Sequence, residues 1–452
     1  MRDFATSTDP AVQRQLDRLF ALSISREKPT LGPIQALLDR LGNPQRRLPP
    51  VFHVAGTNGK GSSCAFLRAA VEAAGLTAHV YTSPHLVRFN ERIRIAGRLI
   101  EDDALAPLLE EVLDAGGDIG ASFFEVTTAA AFLAFSRTPA DACVIEVGLG
   151  GRFDATNVIE DPAVCGIAAL GIDHQFFLGD TIEEIAREKA GIAKPGRPLV
   201  ISAYPGEVRE AVREAAGAAG AHVHDRGGSW NFSVGEGPGG EPALRYQGMG
   251  GGVVTPLPTL SGPHQLENLA LAIAMIRHQE RVAIPDAALE AAATAARWPA
   301  RMQRLGPGPL TALLPEGAEL WLDGGHNPDA GEAVAQALAE ILETPQGTRP
   351  CHVILGMLAN KDVAGLLEPI APLVWALVGV PVPGHEHHPP AMLTDTAQRL
   401  GIQLTGTGAT IPGSLRSIAR LQNPHGLPPV VLILGSLYLA GTVLEANNEL
   451  PD

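Results

Sequence analysis

Short apolar runs alternate along this chain with stretches whose apolar positions recur at helical spacing. Residues 10–22 and 33–41 have that spacing, and Leu41-Gly-Asn-Pro44 closes the second stretch as a helix stop. An apolar run at Pro49-Pro50-Val51-Phe52 gives way to a glycine turn, after which Ala65, Phe66, Ala69, Ala70 and Ala73 fall on one helical face. A strand is expected at Thr77–Thr82, running into Ser83-Pro-His-Leu86, and Asn90-Glu-Arg-Ile-Arg-Ile95 alternates like another short one. Helices are expected over 101–115 and from Val126 to Phe135. Ala142–Val147 reads as a buried strand carrying one carboxylate, Glu146, and Val164–Leu170 as a strand ending at Gly171-Ile-Asp-His174. Thr181-Ile-Glu-Glu184 is a capping box that opens a helix reaching Lys189, with Gly191 as its stop. Alternation of this kind predicts an α/β fold with a doubly wound, mostly parallel sheet, whose ligands bind at the carboxyl ends of the strands.

The pattern changes twice further on. Residues 227–252 are glycine-rich, with alternating segments at Trp230–Val234 and Ala243–Tyr246 that suggest a hairpin-like excursion, to which no site is assigned. Leu260-Ser-Gly-Pro-His-Gln-Leu-Glu-Asn-Leu269 opens an apolar helix, and residues 295–309, rich in Pro, Arg and Gly, read as a linker or hinge. Alternation then restarts: strands at Leu320–Leu322, 351–356, 373–380 and 430–434, helices at 329–342 and 391–400. The expected organisation is therefore a P-loop domain over 1–294, a linker over 295–309 and a smaller Rossmann-like α/β domain over 310–452. The tract Gly384-His-Glu-His-His388 is rich in histidine.

Composition narrows the function classes. At 452 residues, with 45% apolar and 18% charged residues, the chain is long enough for more than one packed core. A net charge of −15 argues against a general nucleic-acid or anionic-membrane binder, which needs a basic face. Cys64, Cys143, Cys165 and Cys351 are scattered without a C-x-x-C pair, a pattern expected of a reducing compartment. Met1 to Asp9 holds no apolar stretch of signal type, and no later run approaches the roughly 18 apolar residues of a membrane span. A cytoplasmic protein is expected, with a monomer as the simplest state.

The most informative stretch is His53-Val-Ala-Gly-Thr-Asn-Gly-Lys-Gly-Ser-Ser63, placed between a strand and a helix. Gly56, Gly59 and Gly61 allow the backbone to turn its N–H groups toward an anion, and the helix that follows adds its positive end. Lys60 supplies a point charge for outer phosphates, and Ser62 or Ser63 a hydroxyl for Mg²⁺. The spacing departs from G-x-x-x-x-G-K-[ST], since Gly61 separates the lysine from the serine. A plain glycine turn with an exposed lysine is the alternative, and the strand before and helix after weigh against it.

Other polar groups fall at strand ends. Glu146 stands in an apolar strand, where a carboxylate is costly unless paired, protonated, metal-bound or at the wet end. Ser83, Glu146 and His174 together offer oxygen and imidazole ligands to divalent cations, and the histidine suggests that Mn²⁺ substitutes well for Mg²⁺. Judged alone, Lys189 near a helix C-terminus only answers the helix dipole.

These segments occur in a recognisable order. His53–Ser63, Thr82-Ser-Pro-His-Leu86, Asn90-Glu-Arg-Ile93, Phe124-Glu125, Glu146-Val-Gly-Leu-Gly-Gly-Arg-Phe-Asp-Ala-Thr-Asn157, Asp173-His174 and Glu188-Lys-Ala-Gly-Ile192 come first. His264-Gln265 with Asn268, Asp323 with His326-Asn-Pro328, and Gly356-Met-Leu358 with Lys361-Asp362 follow. From about residue 15 to 445 the chain resembles the folylpolyglutamate synthase/dihydrofolate synthase family, which is related to the Mur peptidoglycan ligases.

The resemblance implies a bifunctional ligase that activates a carboxylate with ATP as an acyl phosphate, which the amine of L-glutamate then attacks. The acid would be dihydropteroate, or the γ-carboxylate of tetrahydrofolate and its polyglutamates. Asn58, Gly59, Lys60, Gly61 and Ser62 would hold the phosphates; Asn268, Arg301 and Asp323 would contact ATP across the domain interface, with His326 beside them as a catalytic group. Ser83, Glu146, His174 and Lys189 would hold two Mg²⁺ ions, Lys189 as a carboxylated lysine formed from CO₂. Catalytic roles would fall to Lys60, His174, Lys189 and His326. Ser122, Phe123, Phe124 and Glu125, with Phe153, Asp154 and Ala155, resemble the pterin-side pocket. The two domains would resemble the central and C-terminal domains of Mur ligases.

Two departures stand out. Alanine precedes Arg301 where the family usually has glycine, and Gly325 precedes His326 where alanine is common. The rival readings are a monofunctional folylpolyglutamate synthase, a Mur-type amide ligase acting on a nucleotide-linked acid, and a slow nucleotide-hydrolysing switch protein. Lys60-Gly61-Ser62 argues against the Mur-type reading, because Mur loops commonly place threonine directly after the lysine. Glu146, His174, Asp323 and His326 are surplus to a switch.

Overall fold

The computed structural model describes residues 6–22, 30–421 and 426–452. Residues 1–5 of the N-terminal stretch considered above lie outside the described residues. The chain forms two compact units, one of residues 1–259 and 265–297, the other of residues 260–264 and 298–452.

The first unit is built on an eight-stranded sheet: β1 Val51–Ala55, β2 Ala78–Tyr81, β3 Ile93–Ile95, β4 Arg98–Leu99, β5 Ala142–Glu146, β6 Val164–Ile167, β7 Pro198–Ile201 and β8 His222–Asp225. Their order is β4-β3-β2-β5-β1-β6-β7-β8. The six strands from β2 to β8 in that order are parallel, and β3 and β4 add antiparallel strands at one edge. β1, β5 and β6 are buried at every position, as mostly apolar strands in a sheet covered on both faces should be, with His53 and Glu146 as the buried polar exceptions. The connections from β1 leave toward β2 and β5 on one side and β6 on the other, so the end of β1 lies at a topological switch point. Helices Lys60–Ala73 and Phe123–Arg137 bury most of their lengths, and Ile182–Ala190 buries the face carrying Ile185, Ala186, Lys189 and Ala190.

One expectation is corrected here and another extended. Asn90–Ile95 is not a strand throughout: Phe89–Arg92 is a 3₁₀ turn and only Ile93–Ile95 pair. Asn90 Nδ2 donates to Ile100 O and to Asp102 Oδ1, both at 2.8 Å, and Glu91 accepts from three backbone N–H groups, so side chains set this turn. The glycine-rich 227–252 region holds the expected hairpin, β9 Asn231–Glu236 with β10 Pro242–Gln247, and β11 Val253–Pro256 beyond it extends the pair to a three-stranded antiparallel sheet.

The second unit carries a six-stranded sheet of β12 Gln303–Arg304, β13 Glu319–Leu322, β16 Cys351–Leu355, β17 Val374–Gly379, β18 Leu404–Thr407 and β19 Val430–Leu434, with a small hairpin of β14 Glu343–Thr344 and β15 Gly347–Thr348 beside it. The order is β12-β13-β19-β16-β17-β18, parallel except for β12. Part of the stretch expected to be linker is thus β12, an edge strand of this sheet. Both units have the parallel α/β architecture expected from the sequence. Among the described residues no helix is long and apolar enough to cross a membrane.

Candidate active site

The glycine loop occupies the carboxyl end of β1. Thr57 N and Asn58 N both donate to Ala169 O, at 2.8 and 3.2 Å, and Thr57 Oγ1 donates to Gly171 O at 3.0 Å, so the segment after β6 pins the loop. Gly59 caps the helix Lys60–Ala73 with φ +83°, in the left-handed region. A Cβ there would collide with Asn268 Oδ1, and one on Gly56 would lie 3.0 Å from Ala168 Cβ. Bare backbone is what brings Asn268 over the loop, and its amide is oriented by a 3.0 Å bond from Nδ2 to the buried Gln265 Oε1. Gly61 and Ser62 follow in the first helical turn, with Ser62 and Ser63 both buried. The loop thus fits a phosphate: a helix start, bare glycine backbone and a lysine lie together.

Lys60 Nζ curls back to the carbonyls of Gly56 and Thr57, at 3.1 and 3.2 Å. Lys189 Nζ reaches the same Gly56 carbonyl at 3.0 Å from a buried position on its helix. Burial, then the charge of Lys60, pushes the Lys189 ammonium down to about 7, against the opposing charges of Asp173 and Asp154. Lys189 is therefore an amine poised to be neutral, which plain dipole compensation does not require.

The other expected metal ligands stand at neighbouring strand ends. Glu146 ends β5 and its Oε2 accepts from Ser83 N at 3.2 Å. His174 has φ +54° and opens a single helical turn, with its Nε2 3.9 Å from Asp173 Oδ2. Among the described residues no group of three or more His, Cys, Asp and Glu side chains forms a metal-binding cluster. Ser83, Glu146, His174 and Lys189 depend on hydroxyl, carboxylate, imidazole and, if carboxylated, carbamate oxygen, a donor set chemically suited to Mg²⁺ or Mn²⁺.

Of the pterin-side residues, Ser122 and Glu125 first serve the fold. They form a capping box, with Glu125 Oε2 accepting from Ser122 N and Oγ at 2.8 and 2.7 Å. Phe123 stacks on Phe20 and lies edge-on to Phe89, with the Arg92 guanidinium 5.5 Å above its ring. Phe124 packs where a Cβ on Gly148 would fall, so that glycine admits the ring. Phe153 is exposed beneath the Arg152 guanidinium, whereas Asp154 and Ala155 are buried. Asp154 accepts from Leu149 N and Thr156 N, and burial still holds its carboxyl above the usual range.

Three residues without an assigned role, His53, Thr156 and Asp173, complete this part. Thr156 Oγ1 donates to Asp154 Oδ1 and accepts from His53 Nε2 at 2.8 Å, linking β1 to the Asp154 loop. Burial, reinforced by the charge of Lys194, lowers His53 to about 3. Asp173 faces Lys189 electrostatically. A histidine inside a fully apolar strand was the available signal for the first.

In the second unit Asp323 is buried at the end of β13 and accepts from Met302 N at 2.7 Å and Gly325 N at 2.6 Å. Burial raises its carboxyl above the usual range against the charge of Arg301. Arg301 Nη1 donates to Ala300 O at 2.9 Å, and the His326 ring is held by Gly324 O at 2.9 Å. Arg301, Asp323 and His326 therefore share one strand end, while Asn268 belongs to the first unit.

No protein-family model matches the chain. It is 34% identical over 429 residues to the folylpolyglutamate synthase of Lacticaseibacillus casei, covering 91% of this chain and 93% of that protein. A structure of Escherichia coli FolC in complex with DHPP and ADP superposes with a TM-score of 0.84 at 28% identity, covering 97% of each chain. A bifunctional folylpolyglutamate synthase/dihydrofolate synthase with Mn, AMPPNP and L-glutamate bound superposes with a TM-score of 0.83 at 29% identity, covering 97% of this chain and 98% of that one.

Proposed function

Because this chain belongs to the folylpolyglutamate synthase/dihydrofolate synthase family, we propose that it joins L-glutamate to dihydropteroate and to the γ-carboxylate of folates through an acyl phosphate. The observation that carries this reading is the convergence of Lys60 and Lys189 on the Gly56 carbonyl, at a helix start and a sheet switch point. The acid, ATP and the phosphoryl transition state are all anionic, so the Lys60 ammonium and the N–H groups of the helix start lower the barrier where charge accumulates, with Lys189 free to become a metal-holding carbamate.

Gly59, Lys60, Gly61 and Ser62 bind the phosphates, with Asn58 shaping the loop and Asn268 meeting the nucleotide. In the second unit, Arg301 and Asp323 are assigned to nucleotide binding and His326 to catalysis. Ser83, Glu146, His174 and Lys189 as its CO₂-derived carbamate would hold two Mg²⁺ ions, whose chemistry when bound is to neutralise the phosphates and polarise the transferred group. The Lys189 environment supports carboxylation, since an amine lowered to about 7 is substantially unprotonated near neutrality and able to attack CO₂. Phe153, Asp154 and Ala155 orient the pterin end, with Phe123 and Phe124 packed as the wall behind. Four buried free cysteines support a cytoplasmic, reducing location.

The reading is tested by supplying radiolabelled L-glutamate and ATP with dihydropteroate and with tetrahydrofolate in turn. Amide product from both acids is expected. Product from one alone would reduce the enzyme to a single activity, and ATP hydrolysis indifferent to acid and glutamate would overturn the ligase assignment.

A further inference from the structure

Arg92 has no role in the site described above, yet the first unit buries it almost completely, at 1% exposed. It ends the 3₁₀ turn Phe89–Arg92, directly before β3. A buried guanidinium keeps its charge and loses its hydration, so an apolar side chain would fill this space at lower cost. The cation makes contacts in two directions. Toward the end of β2, Arg92 Nε donates to His85 Nδ1 at 2.8 Å, and Thr82 N donates to Arg92 O at 3.2 Å. An arginine Nε always carries its hydrogen, so His85 Nδ1 is the acceptor. On the other side, the guanidinium carbon lies over the rings of Phe89 and Phe123, 5.5 Å from each centroid. Those two rings meet edge-on, their planes 80° apart.

Thr82 and His85 bracket Ser83, whose N–H donates to Glu146 Oε2 at 3.2 Å and whose hydroxyl is assigned above to the metal. Phe123 opens the helix Phe123–Arg137, fixed there by the Ser122–Glu125 capping box and the stack on Phe20, and is assigned to the wall of the acid pocket. One side chain therefore ties the metal-ligand segment to that wall. Its planar fork suits the task, since one edge bonds an imidazole while the cation lies over two aromatic rings. Lysine has no Nε–H to reach His85. The relative placement of the two segments matters because reacting atoms must come within about 3–3.5 Å in alignment.

From these contacts we infer that Arg92, with His85 as its acceptor, is a positioning residue that sets the wall at Phe123 relative to the metal-ligand segment at Ser83. The acid's carboxylate is thereby presented to the phosphoryl group. Buried as it is, Arg92 acts through Ser83 and Phe123 rather than on a substrate. This rests on the ligase reading above.

His85→Leu removes the acceptor, His85→Asn keeps one near the place of Nδ1, and Arg92→Lys keeps the charge but loses the fork. With dihydropteroate as the acid and Mg²⁺ saturating, His85→Leu and Arg92→Lys are expected to raise the KM for dihydropteroate and lower kcat, each about tenfold, with the KM for ATP within about twofold. Titrating Mn²⁺ against enzyme and AMPPNP by electron paramagnetic resonance reads the metal side without turnover, and both variants should bind Mn²⁺ about tenfold more weakly. His85→Asn should match the wild type in all of these. Should Arg92→Lys fail to fold, the two His85 variants decide the matter. A purely structural role predicts a lower thermal midpoint with the acid KM and the Mn²⁺ affinity unmoved. Either value unchanged in His85→Leu, or His85→Asn as impaired as His85→Leu, would overturn the assignment while leaving the ligase reading intact. Absence of glutamate-dependent turnover in the wild type would overturn the ligase reading and this inference with it.

Discussion

Lys60 and Lys189 donate to one acceptor, the carbonyl oxygen of Gly56, at 3.1 and 3.0 Å. Two ammonium groups on one carbonyl repel, and the more buried Lys189 is the one driven toward neutrality. An anionic phosphate near Lys60, or a carbamate on Lys189, relieves that repulsion.

Lys189→Ala should therefore lower ligation by on the order of 10²–10³, comparable to removing one preorganised electrostatic group. The thermal midpoint of the ligand-free protein should stay level or rise, because a costly buried cation is removed. Steady-state kinetics and calorimetry read the two effects. With ¹³C-bicarbonate, wild-type enzyme should show a carbamate carbon signal that the variant lacks; an unmodified Lys189 in active enzyme would end the carboxylation proposal.

Gly59→Ala is expected to raise the KM for ATP roughly tenfold or more, since the left-handed conformation costs a residue with Cβ about 1–3 kcal/mol and the new methyl displaces Asn268. Gly75→Ala is the control: it also has φ +76°, but nothing lies within 4 Å of its Cβ. It should lower stability and leave ATP affinity unchanged. Equal ATP effects in the two variants would place Asn268 outside nucleotide binding.

His53 links the folding equilibrium to pH. Its folded value of about 3 lies below the ordinary 6.5, so between those values the unfolded chain binds the extra proton. The stability from burying it neutral is present above about pH 6.5 and is lost as pH falls toward 3, at up to about 1.4 kcal/mol per pH unit. His53→Asn should flatten the fall in urea midpoint between pH 6.5 and 4. An unchanged slope would mean that other groups carry the acid sensitivity.

The sheet was legible because β1, β5 and β6 are short, mostly apolar runs followed within a few residues by glycine, and in a parallel sheet such ends are ligand sites. Asn90–Ile95 misled because alternation says nothing of Glu91 gathering three backbone N–H groups. β11 escaped because its pairing with β10 is tertiary, and nothing local marks Val253–Pro256 as a third strand. Lys189 was legible in part. Its position one turn beyond Ile185 and Ala186 puts it on the buried helix face, whereas the cation that would only answer a dipole belongs on the wet side. Nothing in the linear pattern shows that Lys60 and Lys189 meet, since 129 positions of chain separate their numbers.

The central claim is that the acid is activated at this loop by phosphoryl transfer before glutamate attacks. Dihydropteroate labelled with ¹⁸O in its carboxylate tests it directly in one turnover mixture with ATP and L-glutamate. One carboxylate oxygen should leave with the phosphate, so the released inorganic phosphate carries one ¹⁸O per amide formed. Phosphate without label, alongside amide formation or ATP hydrolysis, would contradict the acyl-phosphate account.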